Sequence, residues 1–193
     1  KEVVELLRAY GPTNPLTITT TEILIDSLTD FGRNQEAEQF FVKLIANIED
    51  PKLRLEKTLW FANQTGDSKR YIQLARTYRE NFSPNLVTEH FDIASDLYRH
   101  LWLRQDYGSV ESNALAAEIR AAIVQTPEGW WPGDMEPPSD EEDAIEAETY
   151  KRIITITLDL HSALTHNDFE TIYRIQAEEL FPLLGSVIDQ QGL

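Results

Sequence analysis

The chain has 193 residues, of which 33 are Asp or Glu and 17 are Lys or Arg, so its formal charge is −16 at pH 7. Hydrophobic residues make up 41% and cysteine is absent, which favours a folded chain and excludes a disulfide framework, a thiolate zinc site and a cysteine nucleophile within this sequence. So negative a charge disfavours nucleic acid and anionic lipid as partners, and no apolar run reaches the roughly 18 residues of a membrane span.

Glycine and proline are concentrated at a few positions, and the segments between them have the length of helices. The segment Val3 to Tyr10 is predicted to be a short helix. Residues 16–20 are predicted to be an extended connector, with Thr19 or Thr20 capping a helix that begins near Glu22. Apolar residues recurring at i, i+3 and i+4 predict further helices over 35–48, 67–82 and 86–104.

Two interpretations are open for residues 153–160, where apolar and polar residues alternate. Alternation with β-branched residues is typical of a strand, but the same residues also repeat at helical spacing. No turn residue separates them from Ser139 and Glu142, which have the spacing of a capping box at the start of a helix. The helix is therefore the favoured interpretation.

The chain contains an internal repeat. Gly32 and Gly66 lie 34 residues apart, each at a predicted turn between two helices, and each is followed by an amphipathic segment. Similar turns are predicted at 105–110 and 167–172. A two-helix unit cannot bury both of its faces alone, so such units are expected to stack on their neighbours.

These turns resemble those of the tetratricopeptide (TPR) family. The matching residues are Ala37 and Phe41, Gly66 and Asp67, Asp106 and Tyr107, and Asp168 and Phe169. The chain departs from the family where small residues are expected and bulky ones stand: Ile25, Leu59, Tyr98 and Leu160, then Tyr71, Val110 and Ile172. The resemblance implies an all-α, TPR-like stack of about four helix-turn-helix units, in which the first helices line a concave binding surface.

We predict a single helical-repeat domain over residues 1–193. Its parts are an N-terminal helix and connector (1–19), three TPR-like units (20–125), an acidic loop insert rich in tryptophan and proline (126–142), and a fourth unit with a C-terminal cap (143–193).

Charge is unevenly distributed along the chain. Residues 52–104 contain nine basic and six acidic side chains, so the middle of the chain is where an acidic ligand is expected. Within this segment, charged or polar residues recur at every fourth position and therefore form one stripe along a helix. They are Asp92, Asp96, His100 and Arg104. This stripe predicts either ion pairs on a solvated face or contacts to a partner.

The insert contains two adjacent tryptophans, Trp130 and Trp131. They either pin the loop onto neighbouring helices or form an aromatic anchor for a partner. The acidic residues that follow lack the spacing of a calcium loop, and we expect 140–143 to lie at the positive N-terminal end of the next helix.

No motif for zinc, nucleotide or nucleophile chemistry occurs in the sequence, so we predict no enzymatic activity, no cofactor and no metal. The expected function is a protein interaction module or scaffold, which we place in the cytoplasm. It is expected to bind an acidic peptide or protein, or a second copy of the chain, through the first helices of units two and three and the loop that contains the two tryptophans. A sensor for a small molecule or signalling peptide and a subunit of a larger assembly are the alternatives. The candidate binding residues are Lys57, Trp60, Asn63, Arg99, His100, Trp102, Arg104, Trp130 and Trp131.

Overall fold

A computed structural model describes residues 18–104, 108–134 and 137–183. Every regular element in these ranges is helical and none of them is a strand, so the predicted all-α class is confirmed. The chain divides into two compact units, Lys1–Phe82 and Ser83–Leu193, here called the N-terminal and C-terminal units. The predicted helix from Val3 to Tyr10 lies outside the described residues, and the single domain of 1–193 and its TPR-like stack stay predictions.

The described residues of the N-terminal unit form two helical hairpins. Its helices are α1 (Ile18–Asp30), α2 (Asn34–Ala46), α3 (Pro51–Gln64) and α4 (Ser68–Asn81). Phe41 on α2 stacks face to face on Phe61 on α3, with ring centroids 4.1 Å apart and planes 4° apart. This stack joins the hairpins through a buried cluster that includes Leu24, Ile25 and Leu28.

Helix α1 begins earlier than predicted. Ile18, Thr19 and Thr20 are helical, so the expectation of an extended connector is wrong for these residues, while 16 and 17 lie outside the described residues. The reason is the burial of Thr21, which precedes Leu24 by three residues and therefore extends the apolar stripe of α1 by one turn.

The C-terminal unit contains the other described helices. They are α5 (Leu86–Glu89), α6 (Phe91–Leu103), α7 (Val110–Gln125), α8 (Glu141–Thr165) and α9 (Phe169–Ile175), which continues into a π-helical turn, Gln176–Leu180. The single helix predicted over 86–104 is interrupted at His90, whose φ of −147° and ψ of 66° are not helical. The break lets Leu86 and Val87 on α5 as well as Phe91 on α6 be buried.

Residues 153–160 lie inside α8, so the favoured helix is confirmed and the strand is not formed. The predicted capping box is wrong by one residue, because Asp140 rather than Ser139 caps α8 and accepts a hydrogen bond from the Asp143 N–H at 3.0 Å. Acidic residues occupy the first turn of α8, as expected for 140–143.

Three of the predicted helix–helix turns share one backbone geometry. Gly32, Gly66 and Asn167 have positive φ values of 69°, 68° and 53°. In each turn, the next N–H donates to the carbonyl five residues earlier: Arg33 to Leu28, Asp67 to Ala62, and Asp168 to Ala163, at 2.8 to 2.9 Å. This is the hydrogen bond of a Schellman motif, and it ends the first helix of each hairpin. The remaining turn includes residues 105–107, which lie outside the described residues.

The caps that follow these turns generate a prediction for stability. Asp67 accepts a hydrogen bond from the Arg70 N–H at 3.1 Å, so Asp67→Ala is expected to lower the free energy of unfolding by about 1 kcal/mol. Urea unfolding followed by far-ultraviolet circular dichroism measures this loss.

Arg33 provides the matched control, because it occupies the same place in the first hairpin and makes no side-chain cap. Arg33→Ala removes an ion pair to Glu36 and is expected to cost only about 0.3 kcal/mol. Equal losses for the two variants would contradict the assignment of the cap.

Candidate binding groove

A groove of about 670 Å³ lies between α6 and α8 of the C-terminal unit, with the loop that precedes α8 at one end. Its lining is mainly aromatic and apolar, with charged residues among them. The residues are Asp92, Ser95, Asp96, Tyr98 and Arg99 on α6, Trp131 on the loop, and Asp143, Glu146, Ala147, Tyr150, Ile153, Ile154 and Thr157 on α8.

Trp131 closes the loop end of the groove and is held from several sides. Its indole N–H donates to Asp92 Oδ1 at 2.9 Å. Its ring meets Phe91 and Tyr150 edge to face, with centroid distances of 5.2 and 6.3 Å. These contacts favour the interpretation in which the tryptophan pins the loop, and they also leave its ring as part of the groove lining.

Polar contacts to α8 hold the same loop. Glu148 accepts a hydrogen bond from the Gly129 N–H at 2.7 Å, and it forms an ion pair with Lys151. The buried Lys151 ammonium also donates to the Pro127 carbonyl at 3.2 Å. The hydrogen bond from Lys151 is the largest of the effects that hold the pKa of Glu148 below its usual value, and the Gly129 N–H acts in the same direction.

Gly129 is fixed by its backbone and by its surroundings. Its φ is +80°, and a Cβ atom added there would lie 3.2 Å from the Cβ of Ala144 on α8. A side chain at this position would therefore be strained and would push the loop away from α8.

The groove is acidic. Among the described residues, Asp92, Asp96, Asp143 and Glu146 line it together with one basic residue, Arg99, which forms an ion pair with Asp96 at 3.0 Å. Asp92 keeps part of its surface in solvent, yet the protein around its carboxylate desolvates it and thereby raises its pKa. The charge of Asp134 acts in the same direction, while the hydrogen bond from Trp131 opposes it.

A buried polar pair connects the walls of the groove. Tyr98 on α6 is hydrogen-bonded to His161 Nδ1 on α8, and both side chains are buried. Burial raises the pKa of the Tyr98 phenol and lowers the pKa of His161. Both shifts favour the neutral forms, so the pair serves as a polar link between two helices that are otherwise separated by the groove.

The predicted binding residues on α3 belong to the N-terminal unit. Lys57 forms an ion pair with Glu22 at 2.6 Å, and Trp60 packs partly buried against the core cluster of that unit. Asn63 is also partly buried. These side chains are therefore engaged within their own unit.

The predicted residues of the C-terminal unit differ in their placement. Arg99 and Trp131 line the groove, and Arg104 is exposed. Trp102 and Trp130 are half-buried, and the Trp102 indole nitrogen is enclosed with no hydrogen-bond partner among the described residues.

The structure corrects the interpretation of His100, which was predicted to belong to a polar surface stripe. His100 is 1% exposed and is flanked along α6 by the buried Tyr98 and Leu101. The buried face of α6 is wide enough to include it, so the stripe of Asp92, Asp96, His100 and Arg104 is not continuous at the surface.

The α8 wall was missed by the sequence analysis. Ala147, Tyr150, Ile154 and Thr157 recur three or four residues apart, next to the stripe that buries Ile156. The sequence pattern that could have predicted this wall is the second apolar stripe on α8. A helix that packs against one neighbouring helix needs only one such stripe.

No group of three or more His, Cys, Asp or Glu side chains suited to a metal ion occurs in the described parts of the chain. Within the same ranges, no helix combines the length and the apolar character needed to cross a bilayer. Comparison of the chain with family models, curated proteins and solved structures finds no match. The function is therefore argued from the groove itself.

Docking of the loop generates a prediction for Gly129. Gly129→Ala is expected to destabilise the C-terminal unit by about 1 to 3 kcal/mol, because the new methyl group meets Ala144. Gly108→Ala is the matched control, since Gly108 also has a positive φ, of +104°, but has nothing within 4 Å of the added Cβ. Chemical unfolding measures both, and equal losses would contradict close packing of the loop on α8.

The lowered pKa of Glu148 predicts a dependence on pH. The contacts of its carboxylate stabilise the folded state above the ordinary carboxyl pKa of 4.5, and this contribution is lost as the pH falls through the lowered value. Glu148→Gln is therefore expected to reduce the acid sensitivity of the urea midpoint. Glu118→Gln, an exposed change on α7, is the control for net charge. An unchanged acid sensitivity in Glu148→Gln would show that these contacts contribute nothing to folding.

Proposed function

We propose that the chain is a non-enzymatic interaction module whose C-terminal unit binds a peptide or helix of a partner protein in the groove between α6 and α8. The observation that carries this proposal is the row of aromatic and apolar side chains along the groove, formed by Trp131, Tyr150, Ile153 and Ile154. Aromatic side chains of this kind supply much of the binding energy at protein interfaces.

The exposure of Tyr150 supports the same conclusion. Tyr150 is 50% exposed although its ring contacts Trp131, so a ligand in the groove would bury further aromatic area. Burial of apolar area contributes about 25 cal/mol per Å², which makes Tyr150 a favourable contact for an apolar side chain of the partner.

The groove lies on first helices, as the TPR resemblance implies, but on those of units three and four rather than of units two and three. Helices α6 and α8 are the first helices of the third and fourth predicted hairpins, and in TPR-like folds the first helices line the binding surface.

A test begins with the selection of short linear peptides from a displayed random library against the full chain. A selected peptide is expected to bind at least about tenfold more weakly to Tyr150→Ala, since loss of an interface hot spot costs more than 1.4 kcal/mol. Isothermal titration calorimetry measures the Kd of each variant.

Tyr173→Ala is the matched control, because Tyr173 on α9 is 75% exposed and does not line the groove. It is expected to leave the Kd unchanged. If no peptide is enriched, or if both tyrosine variants bind as the unchanged chain does, the proposal fails.

A small-molecule ligand is the second candidate, since the groove volume falls within the roughly 300–1,000 Å³ typical of ligand sites. A metabolite that raises the melting temperature of the unchanged chain but not of Tyr150→Ala would favour a sensor.

A further inference from the structure

The charged residues at one end of the groove bear on the kind of ligand that it binds. At its Trp131 end, Asp92 on α6 and Asp143 on α8 line the groove, and the charge of Asp134 on the loop raises the pKa of Asp92. A neighbouring cavity shares Trp131, Asp143 and Ala147 with the groove, and Asp134 lines it. Trp131 is therefore the apolar surface around which these carboxylates gather.

We propose that this end of the groove recognises a lysine or arginine side chain of the bound peptide. The inference rests on the proposed function, since it specifies the chemistry of the peptide that the groove takes. Charge complementarity is the main argument. In the part of the lining that the structure describes, the carboxylates are accompanied by a single basic residue, Arg99, whose guanidinium is paired with Asp96.

The aromatic residues suit a cationic side chain as well. The rings of Trp131 and Tyr150 meet at 85°, so they form a corner between the carboxylates and the apolar part of the groove. A lysine or arginine stem can pack along such a corner while its charged end reaches the carboxylates. Cation–π attraction to tryptophan adds to the same preference.

Asp92 is the residue expected to respond most strongly. The surrounding protein desolvates part of this exposed carboxylate, and the nearby charge of Asp134 also raises its pKa, against the opposing hydrogen bond from Trp131. A bound cation would offset both effects, because opposite charges attract more strongly where solvent screening is weak.

A cationic peptide differs from the acidic partner that the charge of residues 52–104 predicts. Two of the basic residues that produced that expectation, Lys57 and Arg99, form ion pairs with Glu22 and Asp96. The groove itself has the opposite sign to the average of that segment.

The experiment uses two synthetic peptide libraries with blocked ends and the same apolar positions, one with lysine and one with glutamate at the polar positions. Peptides that bind the full chain are expected to come from the lysine library. Replacement of one lysine by norleucine is expected to weaken the best peptide about fivefold or more, and added salt is expected to weaken the lysine form only.

Asp92→Asn keeps an oxygen acceptor for the Trp131 indole and removes the charge. It is expected to weaken the lysine peptide about fivefold more than it weakens the norleucine peptide. Glu146→Gln, on the α8 wall, is expected to act in the same direction. Glu118→Gln changes the net charge equally at an exposed site on α7 and is the matched control, with no effect expected on either peptide.

The outcomes separate the two proposals. Peptides that lose affinity in Tyr150→Ala but bind equally well with lysine, norleucine or glutamate would overturn the cation site and leave the interaction groove in place. Equal weakening by Asp92→Asn and Glu118→Gln would overturn it too, since it would indicate long-range charge alone. Binding of a free alkyldiamine with the affinity of the lysine peptide would overturn the peptide as occupant. If no peptide from either library binds, both proposals fail.

Discussion

The docking of Trp131 against α6 and α8 is the constraint on which the groove depends. Its indole N–H is fixed on Asp92, at the start of α6, and its ring lies edge to face with Tyr150 on α8. A hydrogen bond to a carboxylate is worth at most about 1.5 to 3 kcal/mol, and less at an exposed carboxylate such as Asp92, so the side chain needs support from a rigid loop. Glu148 and Lys151 supply that support through the backbone of Gly129 and Pro127.

The same docking connects stability with recognition. Asp92 accepts the hydrogen bond that orders the loop, and it is also a charge that lines the groove. The surrounding protein partly desolvates this exposed carboxylate, and the Trp131 N–H offsets only part of the resulting rise in its pKa. A site of this kind favours a ligand that brings a positive charge, because the ligand completes an electrostatic arrangement that the chain leaves unbalanced.

Several features could be predicted from the sequence, and each of them is local. Gly32 and Gly66 indicated turns because glycine readily takes a positive φ, and the described hairpins end their first helices there. Residues 153–160 were favoured as a helix because no turn residue separated them from the preceding cap. The predictions that were wrong concern short segments, but in each case the cause is tertiary packing. Thr21 and His100 are polar residues that the packing of their helices buries, and the interruption at His90 accompanies the burial of Leu86 and Phe91.

The sequence by itself determined the helical class, the positions of the turns and the acidic charge, because hydrogen bonds and side-chain spacing within a helix involve residues only a few positions apart. The tertiary structure decided the groove. Trp131 meets a residue 39 positions earlier, and Tyr98 meets one 63 positions later, so no local pattern could place these pairs. It also decided that the groove is acidic. Residues 52–104 have an excess of positive charge, yet the arginine of the wall that they contribute, Arg99, is already paired with Asp96.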